Sequence, residues 1–277
     1  MNRHSRRTTQ RIVLSIIMLA IALVSALPLW YVLVNSFKSQ VDMTLHPLAL
    51  PSELTLTNFA NAFQDGSMIR AFLNTLLVTV VAVAIQVLVG SLAAYGVVLK
   101  KWVLTRVVGI ILMVAFTVPA QATLIPLYKM EASWGLVDSL LGLILLYSGG
   151  AVFCYFLIVG YMRGVPKELF EAAKLDGARP LRIYFSIVLP VIRPILVTVI
   201  VFQVIGTWND FLYPNVFISS PEKETVVLQV YNAVSQFGTN WPLFMAVTVC
   251  ALVPIFIFFI FCQKWIVSGL VAGSVKG

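Results

Sequence analysis

The chain has 277 residues, of which 60% are hydrophobic and only 11% are charged, and its mean hydropathy is +0.96. A soluble domain usually carries about 25% charged residues, so this composition excludes a soluble globular protein. The net charge of +8 does not indicate nucleic-acid binding, because the basic residues stand between hydrophobic blocks instead of covering a soluble face. The composition predicts one all-α domain embedded in a membrane.

Six long apolar blocks follow one another along the chain, and each reaches the roughly 20 residues that a helix needs to cross a bilayer core. The first block follows a basic tail and is predicted to be a retained span, because it continues beyond the about 7 to 15 residues of a signal-peptide core. A cleaved signal peptide ending near Ala26 is the alternative. The predicted spans are Ile12–Val34, Ala71–Val98, Val107–Leu127, Leu140–Tyr161, Ile187–Gly206 and Leu243–Cys262.

The distribution of lysine and arginine predicts the orientation of these spans. With the N-terminus inside, fifteen of the 19 lysines and arginines fall on the inner side. Basic residues concentrate in cytoplasmic loops, so both termini are predicted to be cytoplasmic. The outer side keeps only Lys38, Arg70, Lys129 and Lys223.

The outer segment from Asn35 to Arg70 is predicted to lie on the membrane surface. Thr57 or Asn58 is suited to cap a short helix there, with Phe59 and Phe63 one turn apart on one face.

Several residues inside the apolar blocks are typical of helix packing. Ala82, Gly90 and Ala94 share one stripe of the second block, and small residues let neighbouring helices approach closely. Gln86 and Gln203 carry amides that need partners in an apolar medium, so hydrogen bonds between helices are expected. Direct contact with a transported substrate is the alternative.

Known catalytic signatures are not found in the sequence. It contains no phosphate-binding Gly-x-x-x-x-Gly-Lys-Ser/Thr loop, so ATP is not expected to bind to this chain. His4 and His46 stand far apart, and Cys154, Cys250 and Cys262 lie within apolar blocks without metal-type spacing. The chain is therefore not expected to be an enzyme, nor to hold a metal or a cofactor.

The loop between the fourth and fifth blocks predicts a short helix. Glu168 and Glu171 favour its N-terminal end, Lys174 favours its C-terminal end, and Gly177 can terminate it in the left-handed conformation. A helix of about ten residues is too short to be stable alone in water, so a surface must hold it. That surface is either a groove on a partner or the chain's own membrane domain.

The same loop, residues 163–190, carries a complete signature. It reads Glu171-Ala172-Ala173, three residues, Gly177, nine residues, Ile187, one residue and Leu189-Pro190. This order resembles the EAA motif of ABC-importer permeases, in which the loop forms a coupling helix that docks into a cleft of the cytoplasmic ATPase. The resemblance implies the type I importer permease fold, with six transmembrane helices. The ATPase-coupling residues that it implies are Glu168, Phe170, Glu171, Ala172, Ala173, Asp176, Gly177, Leu189 and Pro190.

Two further stretches resemble the carbohydrate-importing branch, in particular the smaller permease subunit of maltose-type transporters. One is Trp208-Asn209-Asp210-Phe211-Leu212-Tyr213-Pro214, and the other is the terminus from Gly269 to Gly277. The resemblance implies that the tail contacts the ATPase through Gly273, Ser274, Lys276 and Gly277. The substrate-pathway candidates are Trp208, Asn209, Asp210, Phe211 and Tyr213, which combine aromatic faces with hydrogen-bonding groups. An aromatic belt at the membrane boundary is the alternative for this set.

The resemblance also implies the partners and the location. A second homologous permease, two ATPase subunits that use ATP and Mg²⁺, and an extracytoplasmic sugar-binding protein would complete an importer in the cytoplasmic membrane of a bacterium or archaeon. The expected organisation is a cytoplasmic tail at 1–11, a six-helix domain at 12–262 and a tail at 263–277. An ion-coupled carrier or a channel is the alternative, and it leaves the loop unexplained.

Overall fold

The computed structural model describes residues 3–99, 102–166, 168–236 and 240–274. Within these ranges the regular secondary structure is entirely helical. The α-helices are α1 (Arg3–Ser36), α2 (Gln40–Leu45), α3 (Thr57–Phe63), α4 (Ser67–Leu99), α5 (Val103–Thr117), α6 (Ala120–Trp134), α7 (Leu140–Ser148), α8 (Ala151–Met162), α9 (Glu168–Leu175), α10 (Pro180–Ile183), α11 (Leu189–Val191), α12 (Arg193–Trp208), α13 (Leu212–Phe217), α14 (Val226–Gln236) and α15 (Trp241–Ser274).

Four stretches of helix in the described residues are long and apolar enough to cross a membrane. Two bent helix pairs have the same composition, so the number of spans is four, or up to six if each pair is one span. The all-helical architecture predicted from the sequence is confirmed. The four straight stretches are Gln10–Ser36, Ser67–Leu99, Leu140–Met162 and Trp241–Trp265.

The third and fifth predicted spans are not single straight helices. Helices α5 and α6 meet at an angle of 106°, where Pro119 removes a backbone donor and caps α6 in an extended conformation. The segment Pro180–Val191 meets α12 at 79°, where Ile192 leaves the helical region immediately before Arg193 and Pro194. Helix α6 also continues to Trp134, well beyond the predicted end of the third block at Leu127.

The chain divides into two compact units. One comprises Met1–Met68 with Val230–Val253, and the other comprises Ile69–Gln229 with Pro254–Gly277. The EAA loop and the stretch from Trp208 to Tyr213 belong to the second unit.

The segment between α1 and α4 contains several buried polar side chains. The Lys38 ammonium is fully buried and donates to the backbone carbonyl of His46 at 2.7 Å. Helix α3 forms as predicted, and the Phe37 and Phe59 rings pack 5.0 Å apart. Asn58 does not cap this helix, because its amide donates instead to the carbonyls of Ser36 and Lys38.

Close helix packing in the second unit confirms the predicted small-residue stripe. Ala82 and Ala94 are fully buried. A Cβ atom at Gly90 would lie 2.5 Å from the Cβ of Cys154 and 2.8 Å from the carbonyl oxygen of Ala151. Only glycine therefore fits where α4 crosses α8.

Candidate functional site

Helix α9 ends in the left-handed glycine that the sequence predicts. Gly177 has a φ of 75°, and its N–H donates to the carbonyl of Lys174 at 3.0 Å. The N–H of Ala178 donates to the carbonyl of Ala173, also at 3.0 Å. These two bonds form a Schellman motif, which satisfies carbonyls that the helix end would otherwise leave unpaired.

One face of α9 is anchored in the membrane domain of the chain itself. Phe170 is fully buried and Ala173 is 7% exposed, and both belong to a core cluster that includes Ile158, Met162 and Tyr184. Burial of a phenylalanine side chain stabilises a fold by roughly 1.5 to 3 kcal/mol. The chain's own domain is therefore the surface that holds this short helix.

The rest of the surface of α9 is open. Leu169 is 47% exposed and Leu175 is 89% exposed, and acidic side chains flank them. Exposed leucines among charged residues are typical of a docking face on a helix. The predicted coupling residues that are exposed are Glu168, Glu171, Ala172, Asp176, Gly177 and Pro190, while Leu189 is half-buried.

The chain beyond α9 is fastened to α4 by two tyrosines. The Tyr95 hydroxyl donates to the carbonyl of Pro180 at 2.9 Å, and the Tyr184 hydroxyl lies 2.7 Å from Oγ of Ser91. The rings of Tyr95 and Tyr184 pack 5.5 Å apart. The sequence gives no specific indication of these contacts, because tyrosines next to an apolar run are equally typical of a membrane boundary.

A cavity of about 900 Å³ lies within the second unit. Its volume falls in the range of about 300 to 1,000 Å³ that small-molecule sites occupy. Its wall is mainly apolar and aromatic, with a few polar groups, and includes no lysine, arginine or histidine among the residues described. The aromatic and polar lining residues are Gln86, Phe116, Thr123, Glu131, Trp134, Tyr147, Phe153, Gln203, Thr207, Asp210 and Tyr213.

Two glutamines join three parts of the cavity wall. Nε2 of Gln203 donates to Oε1 of Gln86 at 2.7 Å and to the carbonyl of Gly150 at 3.2 Å. Nε2 of Gln86 donates to the carbonyl of Tyr147 at 2.6 Å. The predicted hydrogen bonds between helices are thus confirmed. Gly150 makes the arrangement possible, because a Cβ there would lie 2.4 Å from Nε2 of Gln203.

Asp210 and Tyr213 are the substrate-pathway candidates that line the cavity. The carboxylate of Asp210 accepts from the Tyr147 hydroxyl at 2.7 Å and from the backbone N–H groups of Leu212 and Tyr213. It therefore fixes the start of α13 and the position of the Tyr147 ring. The rings of Tyr147 and Tyr213 meet edge to face at 5.5 Å.

The other three candidates do not line this cavity. Trp208 is 8% exposed and packs beside Phe72, with ring centroids 6.4 Å apart. Asn209 is exposed and donates to the carbonyl of Ile205 at 2.9 Å. Phe211 packs against a second core cluster that contains Tyr147 and Phe217.

Sequence reasoning missed Glu131. This residue lies on α6, lines the cavity and is only 1% exposed, and its Oε2 has no hydrogen-bond partner among the described residues. The sequence predicts that the third span ends at Leu127, which leaves Glu131 outside it. The packing around it is tight, since a Cβ at Gly142 would lie 2.9 Å from Oε2.

The predicted tail contacts are described only in part. Gly273 and Ser274 form the end of α15. Lys276 and Gly277 lie outside the described residues.

An ionic cluster joins the α6–α7 loop to the loop after α13. The carboxylate of Asp138 accepts from the N–H groups of Ser219 and Ser220, from the Ser220 hydroxyl, and from the Lys223 ammonium at 3.0 Å. Hydrogen bonds from Ser220 and Ser219, more than the one from Lys223, hold the pKa of Asp138 well below its usual range.

The sequence from residue 86 to 271 matches the family described as "Binding-protein-dependent transport system inner membrane component". This match covers the hydrogen-bonded pair Gln86 and Gln203 (the amide cluster), the cavity, the EAA loop and most of α15. The chain belongs to this family. Family membership decides against the ion-coupled carrier or channel, and it makes the chain a transport subunit of the inner membrane, not an enzyme.

Relatives of this transport family match the chain along almost its full length. The probable starch degradation products transport system permease protein AmyC of Thermoanaerobacterium thermosulfurigenes is 33% identical, over 96% of this chain and 97% of its own. The melibiose/raffinose/stachyose import permease protein MelC of Bacillus subtilis is 28% identical, over 98% and 99%.

Two solved structures share the fold. One chain of a bacterial ABC transporter that imports the acidic polysaccharide alginate has a TM-score of 0.82 and 23% identity, and the match covers 95% of this chain and 98% of that chain. A chain of the inward-facing MetNI methionine ABC transporter has a TM-score of 0.56 and 17% identity, over 73% and 95%. Both assign the chain to the fold of ABC-importer permeases.

Proposed function

We propose that this chain is one permease subunit of an ATP-binding-cassette importer that moves a sugar into the cytoplasm. The names of its relatives support a carbohydrate substrate, since they include permeases for starch degradation products, for melibiose, raffinose and stachyose, and for arabinooligosaccharides. The aromatic wall of the cavity supports the same substrate class, because aromatic faces stack on sugar rings.

The proposed transporter contains this chain, a second homologous permease, two ATPase subunits and an extracytoplasmic sugar-binding protein. ATP and Mg²⁺ are used by the ATPase subunits. A neighbouring structure, in which an alginate ABC transporter is in complex with a pentasaccharide-bound periplasmic protein, supports a binding-protein partner.

The observation that carries the proposal is the two-sided character of α9. Phe170 and Ala173 fix the helix to the membrane domain, while Leu169, Glu171 and Ala172 remain open to a partner. A helix held in this way can pass a displacement of its partner to the membrane domain. ATP-driven closure of the ATPase pair would thereby favour the outward-open arrangement, and hydrolysis would restore the inward-open one.

The proposed topology has six spans, with each bent pair counted as one, and both termini in the cytoplasm. In this topology residues 1–11 and 263–277 are cytoplasmic tails, 12–262 form the membrane domain and 163–190 form the coupling loop. The basic residues of these cytoplasmic segments support the orientation. Gly273, Ser274, Lys276 and Gly277 are proposed to contact the ATPase pair from the C-terminal tail.

The proposed sugar path passes the cavity wall that carries Tyr147, Asp210 and Tyr213. Tyr213 offers an aromatic face, whereas Asp210 acts by holding Tyr147 in place. Trp208, Asn209 and Phe211 do not line this cavity, and Phe211 packs against the core cluster that contains Tyr147.

Transport by the purified complex tests the proposal. The complex is isolated through a tag on this chain and reconstituted into vesicles with its binding protein. We expect an ATPase to co-purify and ATP to drive movement of maltotriose, raffinose or arabinotriose. Transport driven by an ion gradient without ATP, or a complex that contains no ATPase, would contradict it.

A further inference from the structure

Tyr184 is the largest fully buried side chain among the described residues of the second unit, and it follows α9 and α10 in the chain. It opens a π-helical segment, Tyr184–Val188, in which the N–H of Leu189 donates to the carbonyl of Tyr184. Single π-helical turns are rare and occur frequently at functional sites. A 79° bend follows at Ile192. The ring thus sits between the coupling helix and a hinge-like break.

The hydrogen bond between Tyr184 and Ser91 has a definite direction. Oγ of Ser91 lies 2.5 Å from the carbonyl oxygen of Val87, which can only accept, so the single Ser91 proton is directed there. The Tyr184 hydroxyl must therefore donate to Ser91 across 2.7 Å. The result is a chain of two hydrogen bonds that leads from the segment Pro180–Val191 (the coupling segment) to the backbone of α4.

The same helix carries the amide cluster of the cavity. Gln86 stands next to Val87 and about 7.5 Å along the helix axis from Ser91. It bonds to Gln203 on α12, the helix that follows the bend. Side-chain hydrogen bonds therefore join α4 to the α10–α12 segment at three points: Tyr95 bonds to Pro180, Tyr184 to Ser91, and Gln203 to Gln86. The first two involve residues of the EAA loop, and the third lies on the cavity wall. The bond of Tyr95 is exposed, whereas the bond of Tyr184 is buried.

We propose that Tyr184 is a positioning residue for transport: its hydroxyl, through Ser91, makes α4 move with the coupling segment and so transmits the motion of the ATPase to the cavity. The proposal rests on the proposed function as an ATP-driven importer. Packing alone would let the apolar surfaces of α4 and the coupling segment slide over each other, whereas a buried hydrogen bond has one favoured register.

The chain offers a matched control for this role. Tyr155 is also a buried tyrosine of the same core cluster, 5% exposed, and no hydrogen bond of its hydroxyl is seen among the described residues. Tyr155→Phe and Tyr184→Phe each remove one hydroxyl from this core and keep the ring. Of the two, only Tyr184→Phe removes the buried hydrogen bond to Ser91 on α4.

The test measures sugar moved per ATP hydrolysed by the complete reconstituted complex, together with its thermal stability. We expect Tyr184→Phe to lower this ratio about five-fold, the factor that corresponds to one net hydrogen bond. ATP hydrolysis should continue, and Tyr155→Phe should keep the wild-type ratio. Ser91→Ala should lower the ratio further, because it leaves the Tyr184 hydroxyl buried without an acceptor. The double variant Ser91→Ala/Tyr184→Phe should return to the level of Tyr184→Phe.

Three outcomes would overturn the inference. These are a wild-type ratio in Tyr184→Phe, an equal fall in Tyr155→Phe, and strictly additive effects of the two substitutions in the double variant. If Tyr184→Phe fails to assemble, Ser91→Ala breaks the same link from α4 and decides the question. Failure of the proposed function looks different, because the wild-type complex itself would then move no sugar with ATP.

Discussion

The EAA loop and the cavity wall differ in whether their side chains are exposed or paired with one another. In the loop, neighbouring side chains have separate roles: Phe170 is buried and holds α9, whereas Leu169 is 47% exposed and free for a partner. In the cavity wall, polar side chains bind mainly to one another, as Gln203 does to Gln86 and Asp210 to Tyr147. The loop therefore leaves an apolar side chain exposed, whereas the cavity wall pairs its polar side chains with one another.

Replacing Phe170 and Leu169 by alanine, one at a time, should give the largest difference, because one residue anchors α9 and the other is exposed. Phe170→Ala empties a fully buried site and should cost about 3 to 5 kcal/mol of stability. Leu169→Ala should leave the unfolding temperature nearly unchanged and reduce co-purification of the ATPase. Thermal unfolding in detergent and quantification of the bound ATPase distinguish the two effects. Equal loss of stability in both variants would contradict the assignment of the faces.

A bulkier residue at Gly150 should break the amide cluster of the cavity wall. In Gly150→Ala the new Cβ would lie 2.4 Å from Nε2 of Gln203, so the amide must leave its partners, at a cost of about 1 to 3 kcal/mol. Gly206→Ala is the matched control, because Gly206 also lines the cavity and a Cβ there meets nothing within 4 Å. Thermal unfolding and sugar transport should fall only in Gly150→Ala, and similar behaviour of both variants would speak against the cluster.

Substitution of Gly177, the left-handed residue at the end of α9, should reduce transport more than it reduces insertion of the chain into the membrane. Gly177→Ala forces a residue with a Cβ into φ of 75° and should cost about 1 to 3 kcal/mol at the end of α9. Transport should fall more than insertion into the membrane. The control is Gly160→Ala in α8, where φ is helical and the Cβ meets nothing within 4 Å. Normal ATPase recruitment and uptake in Gly177→Ala would argue against a coupling role.

Substitution in the ionic cluster around Asp138 should give the smallest effect on stability, and this effect should depend on pH. The pKa of the Asp138 carboxyl in the folded chain lies below the unfolded value of about 4. The ionised carboxylate therefore stabilises the fold above that pH, and this stabilisation is lost as the pH falls below it. Asp138→Asn should cost about 1 kcal/mol at neutral pH and remove this part of the acid sensitivity. Unfolding temperatures of both proteins between pH 7 and about pH 3 check this. Parallel curves would refute the contribution of Asp138.

The loop was largely predictable because its information is local. Gly177 ends α9 as the sequence predicts, since glycine spacing and charge placement act within one helix turn. The sequence does not decide whether Phe170 packs on a partner or on the chain's own domain, because its burial depends on Met162, Tyr184 and other residues outside α9.

The cavity was less predictable for the same reason. Glu131 lies past the end of an uncharged block, and only the bend at Pro119 and the extension of α6 bring it to the wall. Trp208 has the composition of a sugar-binding residue but packs beside Phe72. Composition identifies such groups, whereas packing between helices decides where they point.

Cross-linking from α9 tests the central claim most directly. Single cysteines are introduced as Leu169→Cys and Phe170→Cys into a chain with Cys154, Cys250 and Cys262 replaced, and the assembled complex is treated with a short thiol–amine cross-linker. The account predicts a covalent adduct with the ATPase from position 169 and none from position 170. An adduct from position 170 alone, or none from position 169 in a complex that contains the ATPase, would contradict it.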